Sequence, residues 1–447
     1  MHPTVFAAWT AVLASCFSPA FAQVSARPAP QRVAPTGAAL APTFPVSAGW
    51  TPLGSFEVPA YAVVAPLSSS RTLVFDGEHV DVYDAVGGIE RRVCTTGAFR
   101  FPSFIVADEA HARAWVAESS LDAVWEVDLV SGAFAQVASI HFAFAAAVES
   151  STSLVVTASP CGFSCGADLI RLDLATHALT TLGHVPGASG PVAFDSTGGL
   201  LYGFEADVVP QPGELWIGRW SAAQLASGAP LTAQTATKFA SRLDGNSSIA
   251  LDERSGHVFF AETDFFGGSD VVELDAEGRR VGVVASSPVY VSNLACVEVA
   301  SSGPSGALQA FQPRGMRLAW LETDFGVSPP RTFLRTAEPA RPRLAVTAHA
   351  SGRVELAITG APPRTIAVVG VVSAAGAVVP EALVATVPVR LFSALPVLGA
   401  SAPRGVTDAN GALALSMRGL PHATSVLQAV FFDAQGRALA TSAPVTH

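Results

Sequence analysis

The sequence predicts an all-β protein, a six-bladed β-propeller followed by a C-terminal β-sandwich. The first observation is a short sequence pattern that recurs six times within residues 49–338: an apolar strand that ends in an acidic or small polar residue. The second is that helical periodicity is nearly absent outside residues 221–226. Repeats of this size, built from strands and turns, are typical of propeller blades. The copies are LVFDGE (73–78), AWVAES (114–119), LVVTAS (154–159), LYGFEA (201–206), VFFAET (258–263) and LAWLET (318–323).

A second series of strands predicts the inner strand of each blade. An inner strand packs between neighbouring blades, so it should be almost wholly apolar. Five such strands end at acidic residues spaced 41, 46, 57 and 46 residues apart: Asp108, Glu149, Asp195, Asp252 and Glu298. With a first blade near residues 61–93, these periods predict six blades. Seven is the alternative, if TFLRTA (332–337) belongs to another blade, and GSFEVPA (54–60) is a candidate for the strand that closes the ring.

The N-terminus has the pattern of an export signal. Residues 1–22 contain an apolar run followed by Ala20-Phe21-Ala22, a small-x-small cleavage pattern. The alternative is a bacterial lipobox ending at Cys16, which would make the protein a lipoprotein anchored there. Both predict a secreted or periplasmic protein. Residues 23–48 are rich in proline and alanine and predict a flexible or polyproline linker.

After residue 338 the blade period ends. Residues 339–447 contain strands with the alternation of a β-sandwich, separated by turn signals such as Asp408-Ala409-Asn410-Gly411. They are RLAVTA (343–348), RVELAITG (353–360), TIAVVGVVSA (365–374), ALALSMRG (412–419) and SVLQAVFFDAQG (425–436).

Composition excludes several classes of function. The net charge is −10, only 14% of residues are charged, and Lys238 is the only lysine. Nucleic acids and anionic membranes reward clustered positive charge, so neither is an expected partner. No later segment is apolar enough to predict a transmembrane span. The sequence also lacks a nucleophile elbow, a P-loop and an H-E-x-x-H motif, so no catalytic residue is predicted.

Four cysteines remain if the signal is removed, as expected in an oxidising compartment. Cys161 and Cys165 flank a short turn, and we predict a disulfide between them. Cys94 and Cys296 fall in the first and last blades, which are neighbours in a closed ring, so a second disulfide is predicted there.

The repeated acidic residues predict where a ligand would bind. In a propeller, the turns between second and third strands emerge on the same face as the loops that enter inner strands. The first set of candidates is Asp76, Glu118, Glu205, Glu262 and Glu322, and the second set is Glu57, Asp244, Asn246 and Asn293. Converging carboxylates and amides could bind a cation such as calcium. They could equally accept backbone N–H bonds in adjacent turns and serve only the fold.

Two phrases, FPSFIVADEAHARAWVAES (101–119) and NSSIALDERSGHVFFAET (246–263), give the chain a family likeness. They resemble the repeats of NHL, YVTN-type and senescence-marker-protein/gluconolactonase-like propellers. The last of these families binds a divalent metal through a Glu entering the first blade and Asn and Asp residues entering later blades. The resemblance implies Glu57, Asp244, Asn246 and Asn293 as metal ligands. The C-terminal segment 425–445 resembles the end domain of secreted bacterial repeat proteins.

Two functional hypotheses follow. The first is an exported, non-enzymatic binding or scaffold protein that presents an acidic propeller face to a protein or small-molecule ligand. The second is a metal-dependent hydrolase of the lactonase type, in which a metal-bound water attacks and a carboxylate acts as base.

Overall fold

The structure is a computed structural model. It describes residues 44–47, 49–68, 71–97, 99–163, 165–204, 215–243, 247–253, 255–264, 268–298, 316–340, 343–348, 351, 353–361, 364–373, 404–409, 411–418, 425–432, 438–441 and 445–446.

Strands dominate the first three quarters of the chain. They are β1 (Trp50–Val58), β2 (Val63–Pro66), β3 (Arg71–Phe75), β4 (His79–Asp84), β5 (Gly88–Thr95), β6 (Pro102–Asp108), β7 (Arg113–Glu118), β8 (Ala123–Asp128), β9 (Phe134–Ser139), β10 (Ala143–Ser150), β11 (Ser153–Ala158), β12 (Pro160–Phe163), β13 (Ala167–Asp173), β14 (Leu179–Val185), β15 (Val192–Phe194), β16 (Leu200–Phe204), β17 (Leu215–Trp220), β18 (Thr237–Leu243), β19 (Ile249–Asp252), β20 (His257–Asp264), β21 (Gly268–Leu274), β22 (Arg280–Ser287), β23 (Tyr290–Glu298), β24 (Met316–Asp324) and β25 (Arg331–Pro339).

Two short helices interrupt these strands. A 3-10 helix (Glu109–His111) follows β6, and α1 (Ala222–Ala226) follows β17. The α1 helix is fixed by a capping box, in which Ser221 and Gln224 each bind the other's backbone N–H. The helical turn predicted near residues 221–226 is therefore confirmed.

The strands of this region form antiparallel four-stranded sheets. Their orders are β2-β3-β4-β5, β6-β7-β8-β9, β10-β11-β13-β14, β15-β16-β17-β18, β19-β20-β21-β22 and β1-β25-β24-β23. Each sheet has one inner strand that contacts the inner strand of the next sheet, and the last inner strand contacts the first. The inner strands are β2, β6, β10, β15, β19 and β23. The last sheet takes its outer strand from the N-terminus, where β1 pairs with β25 over Trp50–Val58. This is the closure predicted from GSFEVPA.

The core lies between successive sheets. Trp115, Trp220 and Trp320 are completely buried, and each sits in a different cluster of apolar side chains. In the last cluster Trp50 of β1 meets Phe259 edge-on at 5.7 Å between ring centroids. The closing strand thus adds side-chain packing as well as backbone hydrogen bonds.

The C-terminal strands form two further sheets. Strands β26 (Arg343–Ala348), β27 (Arg353–Thr359) and β30 (Leu413–Arg418) make one. The other contains β28 (Ile366–Ser373), β29 (Arg404–Val406), β31 (Ser425–Phe432), β32 (Ala438–Thr441) and β33 (Val445–Thr446). Leu356 and Ile358 of the first sheet share one buried cluster with Val369 and Phe431 of the second.

The predicted all-β propeller fold is confirmed. The count of six blades and the C-terminal sandwich stay predictions, because the segments 205–214, 299–315 and 374–403 lie outside the described residues. The segment TFLRTA does not begin another blade, since it falls within β25, the third strand of the last sheet. No helix in the described part of the chain has the length and apolar character that a membrane crossing requires.

One of the two predicted disulfides is present. Cys161 and Cys165 are joined, with 5.8 Å between their Cα atoms. Cys94 and Cys296 are not joined to each other, so that prediction was wrong. Cys94 packs in the cluster between the first two sheets, whereas Cys296 packs in the cluster between the last two. The two cysteines lie in neighbouring sheets but in different interfaces.

Candidate functional site

Strand direction brings the predicted site residues to one face. In a four-stranded antiparallel sheet, the turn between the second and third strands lies at the same end as the loop that enters the next sheet's first strand. We call this end of the propeller the upper face and the opposite end the lower face. Asp76, Glu118, Glu262 and Glu322 all lie at or near the upper ends of second strands.

Glu118 is buried and holds an upper-face loop. Its side chain is 1% exposed, and Oε1 accepts a hydrogen bond from the Phe101 backbone N–H at 3.0 Å. The Ser120 hydroxyl also donates to this carboxylate, at 2.7 Å. Burial raises the pKa of Glu118 above its ordinary value, against the opposing effect of these hydrogen bonds. The carboxylate fixes the backbone just before β6.

Glu322 is buried between two donors from its own sheet. The Trp320 indole N–H donates to Oε1 at 3.1 Å, and Arg335 Nε donates to Oε2 at 2.9 Å. Arg335 also lies over the Phe44 ring, with 5.1 Å from its guanidinium carbon to the centroid. Glu322 therefore joins β24 to β25 and, through Arg335, to the segment that precedes β1.

The other two described members of the first set are also held internally. Glu262 is 7% exposed, and Arg280 Nη1 donates to its Oε2 at 2.9 Å. Asp76 Oδ1 accepts from the backbone N–H groups of Glu78 and His79, at 2.8 and 2.6 Å, which closes the turn between β3 and β4. Glu205 lies outside the described residues.

Glu57 and Asn293 are the members of the second set that the structure describes, and Asp244 and Asn246 lie outside it. Glu57 is exposed and forms a two-pronged ion pair with Arg331, with both nitrogen–oxygen distances 2.9 Å. The hydrogen bonds from Arg331 lower the pKa of Glu57 below its ordinary value. Each carboxylate oxygen of Glu57 thus accepts one hydrogen bond from Arg331.

Asn293 lies in a bulge of the inner strand β23. Its backbone is left-handed, with φ 52°, and the pairing with β24 shifts between Ser292 and Ala295. Its side-chain amide donates to the Ser292 hydroxyl at 3.2 Å. The next N–H, that of Leu294, donates to the buried Ser248 hydroxyl at 2.7 Å, which ties the bulge to the neighbouring sheet.

These two residues lie on different strands of one sheet, and their role as metal ligands stays a prediction. Glu57 is on the outer strand of the last sheet and Asn293 on its inner strand, with β25 and β24 between them. Three strand spacings separate their backbones by about 14 Å. Within the described ranges, no group of three or more His, Cys, Asp or Glu residues could hold a metal ion.

The upper face also carries a feature that the sequence analysis missed. Four aromatic side chains lie next to one another across it, in the order Phe101, Tyr61, Phe325 and Tyr290. Their successive ring centroids are 5.8, 6.2 and 5.9 Å apart. We call these four residues the aromatic row. Tyr61 and Phe325 are 40% and 43% exposed.

Each member of the aromatic row is placed by the start or end of a strand. Tyr61, Phe101 and Tyr290 stand at or just before inner strands, and Phe325 directly follows β24. Tyr61 has a left-handed backbone, with φ 66°, a conformation that is uncommon for a bulky residue. Glu118 fixes Phe101, so the buried carboxylate supports one end of the row. The sequence feature that could have predicted the row is an aromatic residue at or next to each of these upper strand ends.

Solved structures of other proteins are similar to this chain, but at low sequence identity. No protein-family model matches the chain, and no curated protein matches it. A gluconolactonase from Xanthomonas campestris is 16% identical, with a TM-score of 0.45, and the match covers 68% of this chain and 100% of that one.

Two further solved structures are similar to this chain. A calcium-binding regucalcin from Agrobacterium tumefaciens is 15% identical, with a TM-score of 0.41 and coverage of 66% and 95%. The β-propeller domain of Cps50 (Swd1) from Myceliophteria thermophila is 11% identical, with a TM-score of 0.40 and coverage of 64% and 99%.

Proposed function

We propose that this protein is an exported, non-enzymatic binding protein whose upper propeller face binds a partner protein through the aromatic row. The observation that carries the proposal is the exposure of Tyr61 and Phe325 within a continuous row of four rings on that face. Tyrosine and other aromatic side chains are enriched at protein interfaces because they bury a large area at low entropic cost.

The carboxylates support this proposal because they are poorly placed for catalysis or metal binding. A general base or a metal ligand needs an oxygen that can reach the substrate or the ion. Glu118, Glu262 and Glu322 are buried and bonded to neighbouring loops and strands. We therefore assign binding to the aromatic row, and Glu118 supports it by accepting the Phe101 N–H.

The alternative is the metal-dependent hydrolase of the lactonase type. Glu57 and Asn293, its two described ligands, are held on opposite strands of one sheet. Calorimetric titration of Ca²⁺, Zn²⁺ and Mn²⁺ into the full chain tests it, and we expect no micromolar binding. Micromolar binding that is lost in the Asn246→Ala variant, together with hydrolysis of a sugar lactone, would establish the hydrolase instead.

The binding proposal is tested by capture with matched variants. The chain is biotinylated, incubated with proteins exported by its source organism and analysed by quantitative mass spectrometry. The test variant is Tyr61→Ser/Phe325→Ser. The control is Val130→Ser, because Val130 is 72% exposed and lies in the turn between β8 and β9 on the lower face.

We expect wild type and control to capture the same protein, and the double variant to lose at least about tenfold of it, since interface aromatics commonly contribute 2 kcal/mol or more. Equal capture by the double variant would overturn the proposal.

A further inference from the structure

The chain that precedes the propeller arrives at the upper face. Val46 pairs antiparallel with Ala285 of β22, and the Ser47 N–H donates to the Val284 carbonyl at 2.8 Å. Strand β22 is the fourth of its sheet and runs towards the upper face. Because the pairing is antiparallel, Pro45 and Phe44 lie on the side of Val46 that is nearer the end of β22.

The aromatic row begins at that point. Tyr290 follows the last residue of β22, Ser287, by three positions, and Phe325 is its neighbour in the row. Phe44, at the start of this part of the chain, packs edge-on against Trp320 at 5.4 Å, four residues before the end of the strand that Phe325 follows. The described chain therefore begins at Phe44, beside the sheet that carries Tyr290 and Phe325.

Residues 23–43 are rich in proline, which aromatic surfaces commonly bind. Residues 23–43 contain Pro28, Pro30, Pro35 and Pro42. Proline-rich segments favour the polyproline II conformation, which docks on aromatic-lined surfaces because little conformational entropy remains to be lost. The row spans at most about 18 Å, which corresponds to about six residues at 3.1 Å each. The segment is long enough to cover it.

Charge favours the same pairing. Residues 23–43 contain Arg27 and Arg32 and no acidic residue, within a chain whose net charge is −10. Asp324 lies directly before Phe325 at the row, and its Oδ1 accepts a hydrogen bond from the Gly326 N–H. A segment that carries only positive charge is attracted to a chain of negative net charge.

We propose that the aromatic row is the docking site of this chain's own proline-rich segment, residues 23–43, which covers the upper face until a partner displaces it. This inference deepens the proposed function, because it assigns the same surface an intramolecular competitor. A tethered segment competes strongly, since its effective concentration reaches the millimolar range for a short linker.

Limited trypsin digestion of the full chain tests the docking. The bond Arg32–Val33 is a trypsin site within the segment, whereas Arg27 is followed by proline and resists cleavage. We expect cleavage after Arg32, followed by mass spectrometry of the released fragment, to be at least about tenfold faster in Tyr61→Ser/Phe325→Ser than in wild type, because bound segments are cleaved through their open state. Val130→Ser should match wild type.

Equal cleavage rates in wild type and the double variant would overturn the docking proposal. A second variant, Pro30→Ser/Pro35→Ser, leaves the propeller and the resistant Arg27–Pro28 bond untouched and should also speed cleavage after Arg32 and raise partner capture.

The two proposals fail in different ways. If cleavage rates are equal but capture still requires the aromatic row, only the docking inference fails. If the double variant is cleaved faster but captures as much as wild type, the docking holds and the proposed function fails.

Discussion

Two sets of side chains at strand ends on the upper face differ in their exposure. The carboxylates at second-strand ends are turned inward: Glu118 and Glu322 are at most 6% exposed and accept two or more hydrogen bonds each. The aromatic residues beside them are turned outward, with Tyr61 and Phe325 about two-fifths exposed. Burial with full bonding indicates a structural role, whereas neighbouring exposed rings form the surface that we propose for binding.

The largest expected effect is on stability, at the carboxylate set. Glu322→Ala leaves both Arg335 and the Trp320 indole without their acceptor, so we expect the free energy of unfolding to fall by about 3 kcal/mol. Urea unfolding measures this. Glu322→Gln, which keeps an acceptor for the indole, should lose less. An alanine variant as stable as wild type would mean that this carboxylate is dispensable for the fold.

A smaller, pH-dependent effect is expected at Glu118. Burial raises its pKa above the ordinary 4.5, so the folded state holds the proton to a higher pH than the unfolded state does. The stability contributed by this protonation is present below pH 4.5 and is lost as the pH rises through the raised pKa. Glu118→Gln cannot ionise and should gain stability relative to wild type over that rise.

The comparison is made by urea unfolding from pH 4 to pH 7. Ser120→Ala removes a hydrogen bond that opposes the pKa shift, so it should steepen the pH dependence. A constant difference between wild type and Glu118→Gln would contradict the shift.

A still smaller effect is expected at Glu57, the exposed acidic residue. Its ion pair with Arg331 is solvated on both sides, and such pairs contribute little to stability. We expect the urea midpoint of Glu57→Gln to move much less than that of Glu322→Ala. We expect no micromolar calcium binding by wild type or by this variant, and binding by wild type that the variant loses would establish Glu57 as a ligand.

The smallest effect on stability is expected at the aromatic row. Exposed substitutions of this kind usually change the free energy of unfolding by no more than about 0.5 kcal/mol. Tyr61→Ser/Phe325→Ser should therefore unfold like wild type while losing partner capture. A large destabilisation would place the row with the carboxylates as part of the fold and would remove the contrast between the two sets.

Strand periodicity allowed the propeller, its inner strands and the closing strand to be predicted, because alternation and burial repeat along the chain. That pattern does not predict which partner each carboxylate binds. Glu322 is bonded to Arg335, and Glu262 to Arg280, and each arginine comes from a different strand of the sheet. The aromatic row was missed because its members come from four separate loops that only the closed ring brings together.

The cysteines illustrate the same limit. The neighbouring sheets of Cys94 and Cys296 were predicted correctly, but the interface that each residue faces depends on strand position across the sheet. The local pair Cys161 and Cys165 needed no such information, because only three residues separate them.

The closing strand has a consequence for the order of folding. Glu57 of β1 meets Arg331 of β25 across 274 positions of the chain. Since β1 leaves the ribosome long before β25, the edge of β1 stays unpaired while the intervening sheets form. Contacts this distant in sequence form slowly, and an unpaired strand edge invites association with other chains. We expect the ring to close last, so that a chain interrupted before residue 331 keeps its core sheets but exposes both edges of the gap.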